Sequence, residues 1–207
     1  MFISFEGGEG TGKSTQLKLL SQWLNDQGIE HALTREPGGC ESAEEIRTLL
    51  LTGEGDRWTP MSEVLLFSAA RCEHLRHVIV PALEKGQWVL CDRFADSTTV
   101  YQAAASGVDM DVVQQISDLV VGNNWPDLTF VFDIAPEVGL GRKNVQISTE
   151  SLDEIRMEGK GLEFHTHVRD AYLKVARANQ GRCRVINADN SVENIHNELL
   201  SYIKEYM

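Results

Sequence analysis

Positive charge is scarce in this chain of 207 residues: 19 Lys and Arg stand against 31 Asp and Glu, a formal net charge of −12. A field of that sign repels polyphosphate backbones, so nucleic acid is not an expected partner, and an anionic ligand must be captured by local arginines rather than by a basic face. Cysteine is sparse too. Cys40, Cys72, Cys91 and Cys183 are far apart with no C-x-x-C pair, which argues against a disulfide staple or cysteine-held zinc and for free thiols in a reducing compartment, the cytoplasm. No uninterrupted apolar run approaches membrane-spanning length, and Glu6 with its glycines comes too early for a charged-then-apolar secretion signal, so neither a membrane nor export is expected. Internal repeats, low-complexity tracts and the [NT]-K-x-D motif of guanine-nucleotide switches are all missing.

Against these absences stands "FEGGEGTGKSTQ", Phe5 to Gln16. Gly7 to Ser14 fits G-x-x-x-x-G-K-[ST], in which backbone N–H groups wrap a phosphate, Lys13 meets the outer phosphates and the Ser14 hydroxyl faces Mg²⁺. The four variable positions are Gly8, Glu9, Gly10 and Thr11, so apart from Lys13 the loop has no cation, and Glu9 adds a negative charge. A phosphoryl transferase built on this loop must find its countercharge elsewhere.

The flanking pattern supplies the context the motif requires. Phe2, Ile3 and Phe5 precede it and Leu17, Leu19, Leu20, Trp23 and Leu24 follow at helical spacing, giving strand, phosphate loop and helix. "HALTRE", "QWVLCDRF", "LTFVFDI" and "RCRVINA" read as further strands. "SAEEIRTLLL", "SEVLLFSAARCEHLRHVIVPALEK" and "SVENIHNELLSYIKEYM" read as helices, the last with Ser191 as its cap. Strands alternating with helices predict an α/β domain over 1–207, a central parallel sheet of about five strands with helices on both faces. The polar stretch from Arg142 to Lys160 has weak periodicity and reads as a surface loop or lid.

In such sheets ligands gather beyond the carboxyl ends of the strands. Asp92 ends an apolar strand there, the place for an acid that holds Mg²⁺ water or Lys13. Phe67 and Arg71, at i and i+4, share one helix face and are able to stack on a base and bond its edge; spacing alone favours a core phenylalanine and a solvated arginine. Arg47 most simply pairs with Glu44 at i−3. His74 with His77, and His165 with His167, read as surface or boundary residues rather than zinc ligands.

"FEGGEGTGKST", "TREPGG", "EEIR", "LLFSAARCEHL", "LCDRFADSTTVYQ" and "PDLTFVFDI", in this order, resemble the bacterial thymidylate kinase family, P-loop nucleoside monophosphate kinases, and the likeness resumes at "GLEFHTHVRDAYLKVA". It implies a three-layer α/β/α P-loop NTPase fold with a short mobile lid over about 142–160. It also implies phosphorylation of dTMP by ATP with Mg²⁺, and a homodimer. ATP would lie on Gly7, Gly8, Glu9, Gly10, Thr11, Gly12, Lys13, Ser14 and Thr15, with Ser14 and Asp92 on the metal. By the same resemblance Arg47 and Arg93 grip the dTMP phosphate, Phe67 stacks on thymine, Arg71 bonds its O4 edge, and Ser97 and Gln102 lie by the remaining polar edge. Glu9 would face the sugar side, and Arg35 and Glu36 would shape the space between the two nucleotides.

The missing loop cation then has an expected source. Family members carry an arginine either in the P-loop or in the lid, and this loop has none, so the resemblance assigns Arg142 and Arg156 to close over the transferring phosphoryl beside Lys13 and Arg93. Three departures accompany that assignment: Ile155 precedes Arg156 where the family has Asp, Phe94 stands where Tyr is commoner, and "AAASG" follows Gln102 where a glycine is expected.

Overall fold

In a computed structural model, which describes residues 1–52, 57–104, 107–143 and 161–207, the hydrophobic runs become five parallel strands: β1 (Phe2–Gly7), β2 (His31–Arg35), β3 (Trp88–Asp92), β4 (Leu128–Asp133) and β5 (Cys183–Asn187). Their order is β2-β3-β1-β4-β5. In-register pairing of Phe5 with Asp92 and of Gly7 with Phe132 sets the ends of β1, β3 and β4 side by side. The chain leaves β1 toward one edge and later crosses to the other, so β1 lies at the reversal of strand order, where α/β sheets bind ligands.

Alternation along the strands feeds two cores. Ile3, Phe5, Leu90, Phe130, Phe132 and Ile186 face α1 (Lys13–Asp26) and the final long helix (Val192–Ile203), meeting Leu17, Leu20, Leu24, Ile195 and Leu199. Phe2, Val89 and Cys91 point the other way, onto Leu75, Ile79, Phe94 and Val121, and Val131 joins them there against Val168, Tyr172 and Val175. A strand apolar on both faces is stable only between two layers. Each fully buried Leu, Ile or Phe contributes about 1.5–3 kcal/mol through removal from water.

The remaining helices are α2 (Glu41–Leu51), α3 (Pro60–His74), α4 (Val80–Glu84), α5 (Ala95–Thr98), α6 (Met110–Val121), α7 (Pro136–Lys143) and α8 (Leu162–Ala178), which makes Val192–Ile203 α9. Ser191 caps α9, accepting from the Asn194 N–H at 3.2 Å. The stretch expected as one helix from Ser62 to Lys85 widens into a π-helical turn over Leu75–Ile79 before α4. Pro81 lies just beyond, and its missing N–H and its ring prevent a regular turn there. Residues 144–160, which hold most of the expected lid and Arg156, lie outside the described residues. No described helix is long and apolar enough to cross a membrane.

Candidate active site

Gly7 ends β1 and Gly12, at φ 88°, opens α1, so the chain turns sharply and presents the first N–H groups of the helix to the loop's interior. Gly10, at φ 64°, backs onto the Gly139 carbonyl of α7; a Cβ at Gly10 would overlap that oxygen, and one at Gly139 would come within 2.5 Å of the Glu9 carbonyl. Lys13 curls over the loop and donates to the carbonyls of Gly7 at 3.1 Å and Gly8 at 2.7 Å. Burial, with the Arg93 charge second, pulls its pKa down to about 8. Ser14 donates from Oγ to Asp92 Oδ2 at 2.8 Å across the strand ends. Two hard oxygen groups at that distance, beside a phosphate loop, suit Mg²⁺, which takes one or two protein oxygens and fills its octahedron with water and phosphate.

The loop's missing cation has a partial answer in Arg93. It follows β3 with φ 65°, a left-handed conformation costly for a residue with a Cβ. That turn sends its guanidinium back to the P-loop: Nη1 donates to the Gly7 carbonyl at 3.1 Å and Nη2 to Glu9 Oε1 at 2.9 Å. Glu9, in a loop whose one cation is Lys13, thus meets a counterion from the end of β3.

Beneath Arg93 lies Glu6, fully buried. Its Oε1 accepts from the Phe94 N–H at 2.7 Å, and its Oε2 accepts from Ser97 Oγ at 2.6 Å and Tyr172 OH at 3.2 Å. Burial, then the Asp96 charge, raise its pKa to about 7. Glu6 and Tyr172 escaped the reading of the sequence. The available signal was a carboxylate in an otherwise apolar strand, which demands buried partners; nothing local pointed to Tyr172.

The other end of the site is a buried ionic cluster. Arg71 donates from Nε to Glu36 Oε2 at 2.8 Å and from Nη2 to Thr98 Oγ1 at 3.0 Å, with its guanidinium 5.2 Å from the Phe94 ring centre. Its Nη1 is buried without a hydrogen-bond partner among the described residues. The spacing-based preference for a solvated Arg71 is therefore corrected: the side chain is 2 % exposed. Phe67 lies one turn earlier on α3 and Glu63 one turn before that; Gln102 reaches Glu63 with Nε2 at 3.5 Å, which brings Gln102 to the helix face of Phe67 and Arg71. Phe94 is fully buried. His74 is likewise buried rather than a surface group, and its ring nitrogens sit 3.0 Å from Glu36 Oε1 and 2.6 Å from Thr34 Oγ1.

The other expected contacts are distributed less simply. Arg47 is buried and donates to the Pro37 carbonyl at 2.7 Å, while the exposed partner of Glu44 is Arg35, at 3.0 Å. Ser97 stands between Glu6 and Arg93, its Oγ 3.4 Å from Arg93 Nη1. Arg142 turns to the loop after β5, donating to the Ala188 carbonyl at 2.8 Å and to Asp189 Oδ1 at 3.2 Å. Arg156 is outside the described residues. The structure thus brings Lys13, Ser14, Asp92, Glu9, Arg93 and Ser97 together around one loop, with Arg71 and Glu36 tied to the same β3–α5 turn through Thr98 and Phe94.

Comparison with known proteins gives this arrangement its family. The family described as "Thymidylate kinase" matches residues 5–199. The chain is 49% identical over 188 residues to a thymidylate kinase of Afipia carboxidovorans, covering 91% of this chain and 82% of that one. It is 43% identical over 207 residues to a thymidylate kinase of Symbiobacterium thermophilum, covering 100% and 94% respectively. A crystal structure of thymidylate kinase from Ehrlichia chaffeensis superposes with a TM-score of 0.76 at 34% identity, covering 98% of each chain. The chain belongs to the thymidylate kinase family.

Proposed function

We propose that this thymidylate kinase family member transfers the γ-phosphoryl group of ATP to dTMP, giving dTDP and ADP. The observation that carries the acceptor half is the Arg71 Nη1 nitrogen, a buried donor without a hydrogen-bond partner among the described residues, one helical turn beyond Phe67. A buried N–H left unmatched costs about 1–3 kcal/mol, and a base carbonyl such as thymine O4 matches it. Arg93 and Arg47 take the monophosphate, because guanidinium forks fit phosphate oxygens. Ser97 and Gln102 border the acceptor, and Glu9, Arg35 and Glu36 set the boundary between the two nucleotides.

On the donor side the N–H groups of Gly7 to Thr15 wrap the ATP phosphates. Lys13 exchanges the Gly7 and Gly8 carbonyls for phosphate oxygens, which restores its full charge. Ser14 and Asp92 would hold Mg²⁺, which would supply countercharge to the ATP phosphates. A dTMP phosphate oxygen then attacks the γ-phosphorus in line. A monophosphate dianion is already a nucleophile, so no general base is required, and positioning with charge stabilisation supplies the rate. Arg142 and Arg156 complete the countercharge that the loop lacks. Exclusion of water around them keeps ATP from being hydrolysed.

We place the protein in the cytoplasm as a homodimer. Exposed Met61 and Leu65 on α3 and Val112 and Leu119 on α6, two helices packed side by side, offer the apolar face for pairing; light scattering of the purified protein tests it. The reaction is tested by ADP release from Mg²⁺·ATP with dTMP, dUMP, dGMP, CMP and thymidine in parallel. Turnover with dTMP well above the others is the expected result. Preference for another acceptor would discard the roles given to Phe67, Arg71 and Gln102.

A further inference from the structure

The side chains below Arg93 are more ordered than a purely apolar floor requires. Ser97 Oγ and Tyr172 OH each lie between Glu6 and the Arg93 guanidinium: both reach Glu6 Oε2, at 2.6 and 3.2 Å, and both lie within reach of Arg93 Nη1, at 3.4 and 3.1 Å. They are 2.8 Å from each other. A hydroxyl has one hydrogen and two lone pairs. An ionised carboxylate accepts only, so the short Ser97 contact takes the Ser97 hydrogen, the Tyr172 hydrogen is shared between Glu6 and Ser97 Oγ, and lone pairs of the two hydroxyls are left facing the N–H groups of Arg93. The third contact of Glu6, from the Phe94 N–H, pins the residue that follows Arg93 in its left-handed turn.

From this geometry we infer that Glu6 is a positioning residue for the acceptor phosphate site, aiming the Arg93 guanidinium through the two hydroxyls of Ser97 and Tyr172 and fixing its backbone through Phe94. The inference rests on the proposed role of Arg93 as a dTMP phosphate ligand. Glu6 is fully buried. It sits a layer below the loop, inside the sheet, and its three contacts come from the β3–α5 turn, α5 and α8. Glu9, by contrast, grips the opposite nitrogen, Nη2, so the two acids hold the fork from two sides.

Glu6→Gln keeps the shape and reverses half of the polarity. Its amide group has one acceptor oxygen for what the carboxylate shares among three donors, and its NH₂ faces either the Phe94 N–H or the hydroxyls. A hydroxyl that must accept from the amide turns its hydrogen toward Arg93, donor against donor. Measured at pH 8, above the Glu6 pKa of about 7 so that most of it is the accepting carboxylate, the KM for dTMP in Glu6→Gln is expected to rise about tenfold or more, the scale of one hydrogen bond to a charged group, while the KM for ATP stays within about twofold. Ser97→Ala and Tyr172→Phe each remove one oxygen without touching Glu6, and they guard against a Glu6 variant that fails to fold. Each should raise the dTMP KM selectively. Glu6→Gln added to the Ser97→Ala, Tyr172→Phe pair should cost much less than it does alone, because the relay is already broken.

Arg93→Ala is measured beside them. If it cripples dTMP use while all three relay variants leave the dTMP KM unchanged, or raise both substrates' KM alike, the positioning role is overturned and the reading of Arg93 stands. If Arg93→Ala itself leaves dTMP turnover intact, the acceptor-site reading fails, and the relay with it. Full additivity of the combined substitutions would also overturn the relay, since independent structural losses add and shared ones do not.

Discussion

Arg71 gives its Nε and Nη2 to Glu36 and Thr98, yet its Nη1, in the same buried guanidinium, has no acceptor among the described residues. The pair itself is a costly construction. Two charges taken from water repay their desolvation only when both are held in good geometry, and removing one strands the other. Glu36 is held from both sides, by Arg71 on one oxygen and His74 on the other, so the cluster presents the free nitrogen without room to relax.

Arg71→Lys should therefore keep the charge near Glu36 and lose the fork. The expected outcome is a dTMP KM raised about tenfold or more with a folded protein, the cost of a hydrogen bond to a charged group. Arg71→Ala should in addition lower stability by about 3–5 kcal/mol, because Glu36 remains buried and keeps His74 as its ion-pair partner among the described residues. Steady-state kinetics and urea unfolding of the two variants separate the effects.

Lys13 has a pKa near 8 while it folds onto the loop carbonyls, lowered first by burial and then by Arg93. Phosphate oxygens in place of those carbonyls favour the cation and raise that value. At pH 8 about half of the Lys13 amines are neutral before binding, so ATP should take up about half a proton per site. Titration calorimetry in two buffers of different ionisation enthalpy measures it. Lys13→Met should abolish both the uptake and the turnover.

Glu6 leaves a signature in stability. Its folded pKa, about 7, is above the ordinary 4.5, so between these values the native state binds more protons than the unfolded one, and stability falls as pH rises through that window. The stabilisation is complete below pH 4.5 and lost by about pH 7.5. Glu6→Gln removes this slope. The difference in urea midpoint between the two proteins should shift steadily in the variant's favour from pH 5 to 7.5; a difference independent of pH contradicts the expectation.

Arg142 and Arg156 are proposed to supply charge to the transfer step, so Arg156→Ala should depress kcat by about tenfold or more with little change in dTMP binding, as expected of an interaction made only in the transition state. Arg142→Ala gives up an exposed pair with Asp189 and should cost less than about 1 kcal/mol of stability. Equal loss of kcat and dTMP affinity in Arg156→Ala, or no loss, would remove that arginine from the mechanism.

Much of this was legible in the residues because the rules involved are local. A glycine-rich loop between an apolar strand and an amphipathic helix dictates its own geometry, and continuous apolar runs such as Val89–Cys91 permit only a doubly covered strand. Asp92 stood out because it ends one, whereas the role given to Arg93 came from the resemblance. What sequence periodicity did not reach depends on elements distant in the chain: the three donors to Glu6 come from Phe94, Ser97 and Tyr172, and the acceptor for Arg142 from the loop after β5. Arg71 shows the limit most plainly. Helical spacing places it on the face of Phe67 but says nothing about Glu36, whose arrival turns a surface charge into a buried one.

Gly10 and Gly139 touch backbone to backbone, with no side chain between the phosphate loop and α7. Each is therefore a condition on the other's neighbourhood. A methyl group added at either position must push the loop away from the helix that runs into the 144–160 segment, and no second change at the opposite glycine can make room, since there is nothing left there to trim. The spacing between the phosphate loop and α7 is thus set by two hydrogens, and inheritance can widen that spacing but never narrow it.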